Sequence, residues 1–424
     1  MRVRRLLALV LAVLFALPAT AHASIPIAEW DDGDHGFELS GYLRSLSGVS
    51  YLHYADELPD PNDEIGTTSG LNAEAIRLEW TAEVSDVLTL ELHNEFFFQV
   101  SSAGSAGGLG GLSQLGLGAS VEPDRTVDLR SEIIDQDGLR FTHNIDRLAA
   151  NIYTDAADIT IGRQGITWGK STLFPVADLW SRFSPFEIDT TQKPGIDAVR
   201  ALVYPSLSSE VDIVVADRGS LEDLSGGVRS AFTIGSVDLM VGAGKFWNEI
   251  AGLVGVTGVL DTVKLRAEAV LPWNLDDEEL KLPRATAGVE YYSSSVIVGA
   301  EYHFNGTGAD EPAGYIQQAN SEEFQRGETY FLGRHYLGAY TTYSGVDRLT
   351  LNLSTIGNLT DPSVIVSPSV RYEIAQNTEV ALGAYVTAGE SPTIPSGGML
   401  AAPQLNSEFG TFGHFFFAEI AGYF

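Results

Sequence analysis

The chain has no cysteine among its 424 residues, and it has few basic side chains. Without cysteine it can form no disulfide framework, thiolate metal site or cysteine nucleophile. Its 25 Lys and Arg residues face 56 acidic residues, which gives a formal net charge of −31. That balance argues against a nucleic-acid partner, because phosphate backbones are bound by basic stripes. A hydrophobic content of 44% is nevertheless too high for a disordered acidic chain.

Long apolar runs are also missing, except near the N-terminus. There Leu6–Leu17 follows three arginines and precedes Ala21, His22 and Ala23. This pattern predicts a secretory signal peptide, residues 1–23, that is cut after Ala23. The alternative, a membrane anchor, needs about 20 apolar residues. No later stretch reaches that length, so the exported chain is expected in the periplasm, outside the cell or in the outer membrane as a barrel.

Alternating polar and apolar residues dominate the rest of the sequence. In residues 76–84 every second residue is apolar, and Arg77 and Glu79 lie among the polar residues between them. Residues 88–100 repeat the pattern, with Glu91 and Glu95 on the polar side. A period of two indicates β-strands with one apolar face, whereas a helix would repeat apolar residues at i, i+3 and i+4. A soluble sandwich and a transmembrane barrel both have such strands.

The connections between the strands favour the barrel. Short turns alternate with long loops rich in Gly, Asp, Glu and Pro, and only 247–248 and 358–362 are short where a long loop is due. The fold class predicted is therefore all-β, a closed antiparallel transmembrane β-barrel of about 18 strands (16–18), with short periplasmic turns and long external loops. Residues 24–36 would form a periplasmic N-terminal segment, and 37–424 the barrel. The predicted strands are 37–47, 73–84, 87–100, 138–153, 158–168, 196–205, 209–217, 226–234, 236–246, 249–259, 261–271, 284–293, 294–304, 333–344, 347–357, 363–374, 377–388 and 412–424.

The end of the chain supports the same fold. Phe416, Ala418, Ile420 and Gly422 alternate up to a terminal Phe424. This run resembles the C-terminal strand of Gram-negative outer-membrane proteins, and the resemblance implies recognition by the barrel-assembly machinery through Phe424. Contact with the lipid bilayer and with lipopolysaccharide is expected of such a barrel.

A barrel of 16–18 strands leaves an aqueous lumen, so a loop is needed if the lumen is to be narrow. Residues 169–195 are the best candidate, because Phe174, Trp180 and Phe186 are too apolar for a wet external loop. The alternative is an external loop packed on the rim or on lipopolysaccharide. Charged residues at the polar positions of the alternation are expected to point into the lumen, and they carry both signs. They are Arg44, Arg77, Arg200, Arg266, Arg284, Arg348, Arg371, Glu79, Glu83, Glu91, Glu95, Glu268, Glu290, Glu301 and Glu373.

The predicted pore-lining and constriction residues combine these wall positions with the loop. Arg163 shares the parity of the apolar Ile159 and Ile161, so it needs a bulge at Gly162 or Gly165, or a place near the rim, to avoid lipid. Opposed charges on a pore wall would order water and filter polar solutes. Alternatively, they hold neighbouring strands together. The set is Arg77, Glu79, Glu91, Glu95, Arg163, Lys170, Asp178, Arg182, Glu187, Asp189, Arg200, Arg266 and Arg371.

One stretch resembles a known family. Residues 161–169 read IGRQGITWG, a Trp-containing loop follows, and 196–200 read IDAVR. About 40 residues are similar to a run in alginate-export-type and related porin-like barrels of proteobacteria. The resemblance implies an 18-strand barrel with a loop-narrowed pore. It does not carry over the substrate, because inward glutamates accompany the arginines here. The matching positions are Arg163, Gln164, Trp180, Asp197 and Arg200.

Enzymatic and metal sites have little support in the sequence. No histidine of the mature chain is followed by serine two positions on, as an outer-membrane phospholipase would need. Asp34 and His35 fall in the N-terminal segment, where a solvated tail is expected. Asp60, Asp63 and Glu64 are weak candidates for Ca²⁺ binding, because acidic loops offer oxygen ligands; a solvated loop is the alternative. We expect no enzyme activity and no cofactor.

The sequence therefore predicts an outer-membrane channel. Small polar solutes would diffuse passively through a water-filled lumen that a loop narrows, and the acidic loops would favour cations or neutral solutes. The alternatives are a pore dedicated to export or uptake of one substrate, and a closed barrel with a surface or structural role. The sequence leaves open a homotrimer or a monomer.

Overall fold

The computed structural model describes residues 26–54, 68–102, 125–186, 188, 192–393 and 404–424. In these residues the chain forms a closed antiparallel β-barrel of eighteen strands, so the predicted fold class is confirmed. The barrel strands are β1 (Gly36–Tyr51), β2 (Thr68–Ser85), β3 (Leu88–Ser101), β4 (Leu139–Tyr153), β5 (Ala157–Gln164), β6 (Ile196–Ser206), β7 (Ser209–Ala216), β8 (Ser225–Ile234), β9 (Val237–Phe246), β10 (Glu249–Leu260), β11 (Val263–Asn274), β12 (Arg284–Tyr292), β13 (Val296–Asn305), β14 (His335–Val346), β15 (Leu349–Asn358), β16 (Ser363–Ala375), β17 (Thr378–Ala388) and β18 (His414–Tyr423).

The last strand closes the barrel against the first. Register runs from Tyr42 opposite Tyr423 to Tyr51 opposite His414. Beyond it, the Gly41 amide donates to the Phe424 carbonyl (2.7 Å) and the Phe424 amide donates back (3.0 Å). Closure pairs the first and last barrel strands with each other, so neither is left as an open sheet edge.

The two faces of the wall differ in chemistry, as the alternation predicted. On β11 the exposed Leu265 (52% exposed) is followed by the buried Arg266 (7%) and, two residues on, by Glu268 (3%). Residues directly opposite each other in neighbouring strands share a face. Register therefore extends the exposed apolar row to Val289 on β12, and this row forms the outer face of the barrel. The polar row forms its inner face.

A bulge explains why alternation is blurred in residues 138–153. Opposite β3, the pairing shifts between His93–Arg147 and Asn94–Ile145, which leaves Asp146 as an extra residue. Asp146 and Arg147 are consequently both buried on the inner side, although they are neighbours in sequence.

Two sequence predictions on the wall need correction. Strand β5 ends at Gln164 rather than at residue 168, because the chain leaves the sheet after Gln164. Arg348 does not lie on a strand wall but in the tight turn before β15, with a φ of 59°.

Short elements complete the structure. A strand at Ala28–Asp31 pairs with the first residues of β1, so the N-terminal segment is not entirely a solvated tail. The turn between this short strand and β1 is exposed, and in it the Asp32 carboxylate accepts a hydrogen bond from the His35 backbone amide (2.9 Å). No helix in the described ranges is long and apolar enough to cross a membrane. The other elements are strands at Arg130–Gln136 and Glu279–Leu280, helices at Tyr315–Ala319 and Glu322–Gln325, and 3-10 turns at Pro312–Gly314 and Phe409–Thr411.

Candidate functional site

The connection between β5 and β6 comprises residues 165–195, and its described residues (165–186, 188 and 192–195) lie against the inner face of the wall. Two wall carboxylates bind its backbone. Glu301 on β13 accepts the amides of Thr172 (2.8 Å), Leu173 (2.9 Å) and Phe174 (3.2 Å). Glu268 on β11 accepts the amides of Lys170 (2.7 Å) and Ala177 (3.2 Å). An irregular segment that is buried must find acceptors for its amides, and here the wall supplies them.

Aromatic side chains hold the start of the connection against β7–β9. Trp168 is fully buried and packs edge-to-face on Trp180, with 5.1 Å between ring centroids. Its indole N–H donates to the Asp212 carboxylate on β7 (2.8 Å). Gly227 on β8 makes room for the ring, because a Cβ there would lie 3.0 Å from Trp168. The rings are enclosed together, since Trp180 and Phe246 are also almost fully buried.

The middle of the connection packs toward the opposite part of the wall. Phe174 stacks on His303 of β13 at 5.1 Å, and its carbonyl accepts the Thr286 hydroxyl (2.8 Å). Phe186 contacts Phe331, and it also contacts the rings of Phe409 and Phe412, which precede β18. One segment therefore contacts strands on both sides of the barrel.

Charged side chains inside the connection bind one another. Asp178 is fully buried and accepts from Lys193 and from the Trp168 amide (3.2 Å). Arg182 donates to the carbonyls of Asp178 (2.6 Å) and Glu328. Burial lowers the pKa of Lys193 to about 8, and burial beside Arg284 lowers that of Arg182 to about 10. The prediction that Asp178 faces the channel is wrong, because its charge is used within the segment.

The wall formed by β2–β4 has a different character. Arg77 donates to Glu79 (2.7 Å) and Asp146 (2.9 Å), and Asp146 also accepts from Arg147 (2.5 Å). Arg147 donates further to the carbonyl of Lys193 (2.6 Å), which fixes the far end of the connection. The glutamates nearby stay partly accessible, since Glu79, Glu91 and Glu95 are half-buried.

More charged groups lie on the inner face nearer the short turns. Arg200 donates to Asp212 (2.7 Å), and Arg371 lies 3.5 Å from Glu379. Glu290 bridges Arg266 (2.8 Å) and the hydroxyl of Tyr340 (2.6 Å). These pairs leave accessible charge of both signs, because the Arg371 side chain is 45% exposed and that of Arg200 20%.

The sequence suggested that a bulge at Gly162 or Gly165 keeps Arg163 away from lipid, and the position of Arg163 depends on neither. Register through Gly162 is unbroken, although a φ of 119° and a backbone oxygen 2.2 Å from any added Cβ make glycine necessary there. Arg163 is the last residue but one of β5, with its side chain 1% exposed. It donates to Asp197 (2.7 Å) and to the carbonyl of Val127 (2.7 Å). The position of Arg163 therefore agrees with the alternative prediction, a place near the rim of the barrel.

The predicted site residues fall into three groups. Some are enclosed and act within ion pairs: Arg77, Arg163, Asp178 and Arg266 are at most 7% exposed, and Arg182 is bound by carbonyls. Others stay accessible to solvent: Glu79, Glu91, Glu95, Lys170, Arg200 and Arg371. The rest lie outside the described residues: Glu187 and Asp189, and the Ca²⁺ candidates Asp60, Asp63 and Glu64.

Sequence reasoning missed a buried acidic cluster beside the connection. The Glu408 carboxylate accepts from Tyr336, from the Asn358 amide (2.7 Å) and from the Leu332 backbone (3.0 Å). Asp361 accepts from the same Asn358 amide group (3.0 Å). Burial raises the pKa of Glu408 to about 7, and the Asp361 carboxylate adds to the rise. No periodicity marks such loop residues, so no sequence signal could have identified them.

A metal site finds no support in the described part of the chain, where no three His, Asp or Glu side chains group as ligands. Another acidic run, Asp276–Glu278, lies in a turn, where the Asp276 carboxylate accepts the Asn248 side-chain amide (2.9 Å).

Comparisons with known proteins show the fold. No family model matches the chain, and no curated protein matches it in sequence. Solved structures do match over nearly their whole length. OccAB4 of Acinetobacter baumannii gives a TM-score of 0.53 at 7% identity, over 92% of this chain and 98% of that chain. OccD3 (OpdP) of Pseudomonas aeruginosa gives 0.52 at 8% identity, over 97% of both chains.

A BenF-like porin from Pseudomonas fluorescens Pf-5 gives a TM-score of 0.54 at 10% identity, over 92% of this chain and 98% of that chain. At sequence identities this low, the structural similarity shows that the fold is shared and shows nothing further. The chain thus has the closed eighteen-strand barrel fold of bacterial porins.

Proposed function

We propose that the protein is a channel of the bacterial outer membrane through which small polar solutes diffuse passively. The main support for this proposal is the chemistry of the two faces of the barrel wall: the outer face is apolar and the inner face is charged. A soluble barrel would need the opposite arrangement, because its outer face would meet water. Eighteen strands enclose more room than side chains alone fill.

The connection between β5 and β6 is proposed to narrow the lumen. It contacts the inner face from β7 to β14 and reaches the rings before β18. On the other side, its last residues bind Asp146 and Arg147 of β4. The wall of β2–β4 has half-buried glutamates instead of packed rings. The solute path is therefore proposed to follow β2–β4, past Glu79, Glu91 and Glu95, and then Lys170, Arg200 and Arg371 nearer the short turns.

Selectivity would come from the accessible charges on this path. Glu79 is held by Arg77, and Glu91 accepts from the Asn151 amide (2.9 Å). Fixed carboxylates attract cations and retain them only weakly, because the same site stays hydrated. With a net charge of −31 on the whole chain, we expect preference for cations and neutral solutes over anions.

Dense packing inside the barrel favours a second candidate, a barrel that is closed at rest. Trp168, Phe409 and Phe415 are fully enclosed. Such a barrel would open only for one substrate or serve as a surface protein. The sequence and the described residues give no reason to expect a catalytic activity.

Single-channel conductance of the refolded mature protein in a planar bilayer tests the proposal. Steady cation-selective steps under a salt gradient are expected, and deletion of 173–189 should enlarge them. Silence in a sample shown to be folded by its heat-modifiable mobility would contradict an open channel. It would favour the closed barrel instead.

A further inference from the structure

Two adjacent strands, β14 and β15, carry no Asp, Glu, Lys or Arg. Each of the other described barrel strands carries at least one such residue. Register places Gly338 of β14 opposite Glu301, which belongs to the inner face. The exposed Leu351 and Leu353 of β15 belong to the outer face. The inner face of these two strands is therefore free of formal charge, unlike that of β2–β4.

An uncharged row of inward residues continues from these strands to the end of the barrel. Thr342 of β14 is opposite Asn352 of β15, and Asn352 is opposite Ser369 of β16. Ser369 is opposite Gly383 of β17, and Gly383 is opposite Phe417 of β18. Residues opposite each other in neighbouring strands share a face, so the whole row points into the barrel.

A second inward row lies beside the first and has the same chemistry. It joins Tyr340, Ser354 and Ser367 across β14, β15 and β16. The hydroxyl and carboxamide residues of the two rows are all partly accessible. We call them the neutral tract: Thr342, Asn352, Ser354, Ser367 and Ser369.

Much of the hydrogen-bonding capacity of the neutral tract is unused within the described residues. The Thr342 hydroxyl donates to the Asn352 side-chain oxygen (2.9 Å). The hydroxyls of Ser354, Ser367 and Ser369 form no hydrogen bond with another described residue. A hydroxyl offers one donor and two acceptor positions. The neutral tract can therefore bind a polar solute that replaces its water.

An aromatic ring lies at each end of the two rows, and both rings are partly accessible. Tyr340 reaches over Gly299, and Phe417 reaches over Gly383; a Cβ at these glycines would lie 2.3 Å and 2.4 Å from the respective rings. The Tyr340 hydroxyl also donates to Glu290 (2.6 Å). Close packing over glycine holds each ring against the wall, beside the neutral tract.

The two rows run obliquely through the lumen. Barrel strands tilt by roughly 35–45° from the barrel axis, so a row that crosses them changes height. Phe417 lies near the long-loop end of β18, and Thr342 lies near the short-turn end of β14. The neutral tract therefore follows the direction of passage. In the closed barrel, β18 adjoins β1 and β2, so the tract borders the same lumen as the proposed path along β2–β4.

We propose that the neutral tract and its two rings bind neutral polyhydroxylated solutes, such as sugars, as they pass through the lumen. The inference rests on the proposed channel function and names a solute class for it. A pyranose has an apolar face of C–H groups and a rim of hydroxyls. The face stacks on an aromatic ring, and the rim exchanges hydrogen bonds with hydroxyls and carboxamides that both donate and accept. Each contact replaces one with water, so binding stays weak and release stays easy.

The charges that border the neutral tract argue against an organic anion as its occupant. Arg371 follows Ser369 on the inner face of β16, but it lies 3.5 Å from Glu379. Glu373 is opposite the same Glu379. Two carboxylates thus accompany one guanidinium, so this border does not attract an anion. A cation has stronger partners in the accessible glutamates of β2–β4.

Saturation-transfer-difference NMR tests the site, because it detects weak binding whether or not the barrel conducts. The folded mature protein in detergent is mixed with cellobiose, and empty micelles give the background. The ring protons of cellobiose should receive saturation. The tract variant combines Phe417→Leu, Ser354→Ala and Ser369→Ala, and its signal should fall at least threefold.

A matched control variant alters the same residue types elsewhere. It combines Phe416→Leu, at an outward ring that is 50% exposed, with Thr81→Ala, at an inward hydroxyl opposite Glu91. Its signal should equal that of the native protein. Heat-modifiable mobility verifies that each variant is folded. Equal signals from the tract and control variants, or no signal from the native protein, would overturn the proposal.

Planar-bilayer recording separates this inference from the proposed channel function. Cellobiose should block the current briefly and reversibly, with an apparent affinity at least fivefold weaker in the tract variant than in the control. A conducting channel that cellobiose neither blocks nor binds would overturn the tract and keep the channel. A silent barrel that still gives the saturation signal would reject the channel and support the binding site. Blockade by benzoate and not by cellobiose would overturn the proposal in favour of an aromatic anion.

Discussion

The two sides of the barrel interior use the same residue types for different purposes. Against β11–β13, Glu268 and Glu301 are buried and bind backbone amides of the β5–β6 connection. Along β2–β4, Glu79, Glu91 and Glu95 stay half-exposed and face arginines or amides. The comparison teaches that an inward carboxylate alone does not indicate a pore charge. The partner of the carboxylate decides: buried amides make it an anchor, and accessible surroundings leave it open to the proposed solute path.

The largest effect on the packed side is expected from Trp168→Ala. Truncating a fully buried indole removes its contacts with Trp180 and Phe246 and costs about 3–5 kcal/mol. Limited proteolysis in detergent should therefore cut the connection much faster than in the native protein. Trp30→Ala, at a site 54% exposed, is the control and should leave cleavage unchanged. Equal protection of both variants would mean that the ring does not fix the connection.

Removing one anchor should have an effect of similar size. Glu301→Ala deprives three backbone amides of their acceptor, at about 1–3 kcal/mol for each buried group left unpaired. The connection should then move more freely, and single-channel current should rise or become noisy. Glu322→Ala, which removes a carboxylate 69% exposed and paired with Arg326, serves as the control. An unchanged current in Glu301→Ala would contradict the anchoring role.

The glutamates of the accessible side should control ion preference. Glu79, Glu91 and Glu95 changed together to Gln remove three accessible charges, so cation preference should fall severalfold in reversal potentials under a salt gradient. Glu268→Gln removes one charge on the packed side, and we expect it to leave the reversal potential in place. If Glu268→Gln has the larger effect, the assignment of the two sides is reversed.

A smaller, pH-dependent effect is expected at Glu408. Its pKa is raised to about 7 by burial and by Asp361, against about 4.3 in an unfolded chain. The protonated form therefore stabilises the folded segment; this contribution is complete below about pH 4 and is lost as pH rises through 7. Hydrogen exchange of residues 404–413, corrected for intrinsic rates, should be at least tenfold slower at pH 5 than at pH 8. In Glu408→Gln the difference should disappear, and its persistence would exclude Glu408 as the cause.

The fold was largely predictable because alternation is a local property of each strand. Each of the eighteen predicted strands has a counterpart in the barrel, but β5 ends at Gln164 and not at residue 168. The residues of the candidate site could be predicted less completely from such local patterns. Alternation continues through Ile166 and Trp168, so the end of β5 was missed: those side chains pack inside the barrel without belonging to the sheet. Asp146 was hidden by its bulge.

The partners of the inward charges could not be predicted either. Parity correctly directs Glu301 and Glu91 inward, but only tertiary packing determines that one meets three amides and the other stays accessible. Arg163 shows the same limit. Its parity is outward, and at the strand end it is enclosed by residues distant in the sequence, among them Val127 and Asp197.

The central claim is that solutes pass along β2–β4 and not through the packed side. Thiol modification during single-channel recording tests it most directly, since the chain has no native cysteine to react. A positively charged methanethiosulfonate should change the current in steps when it reacts with Glu91→Cys, and should leave the current of Thr286→Cys unchanged, because Thr286 is 2% exposed. Steps in Thr286→Cys together with a silent Glu91→Cys would contradict the account.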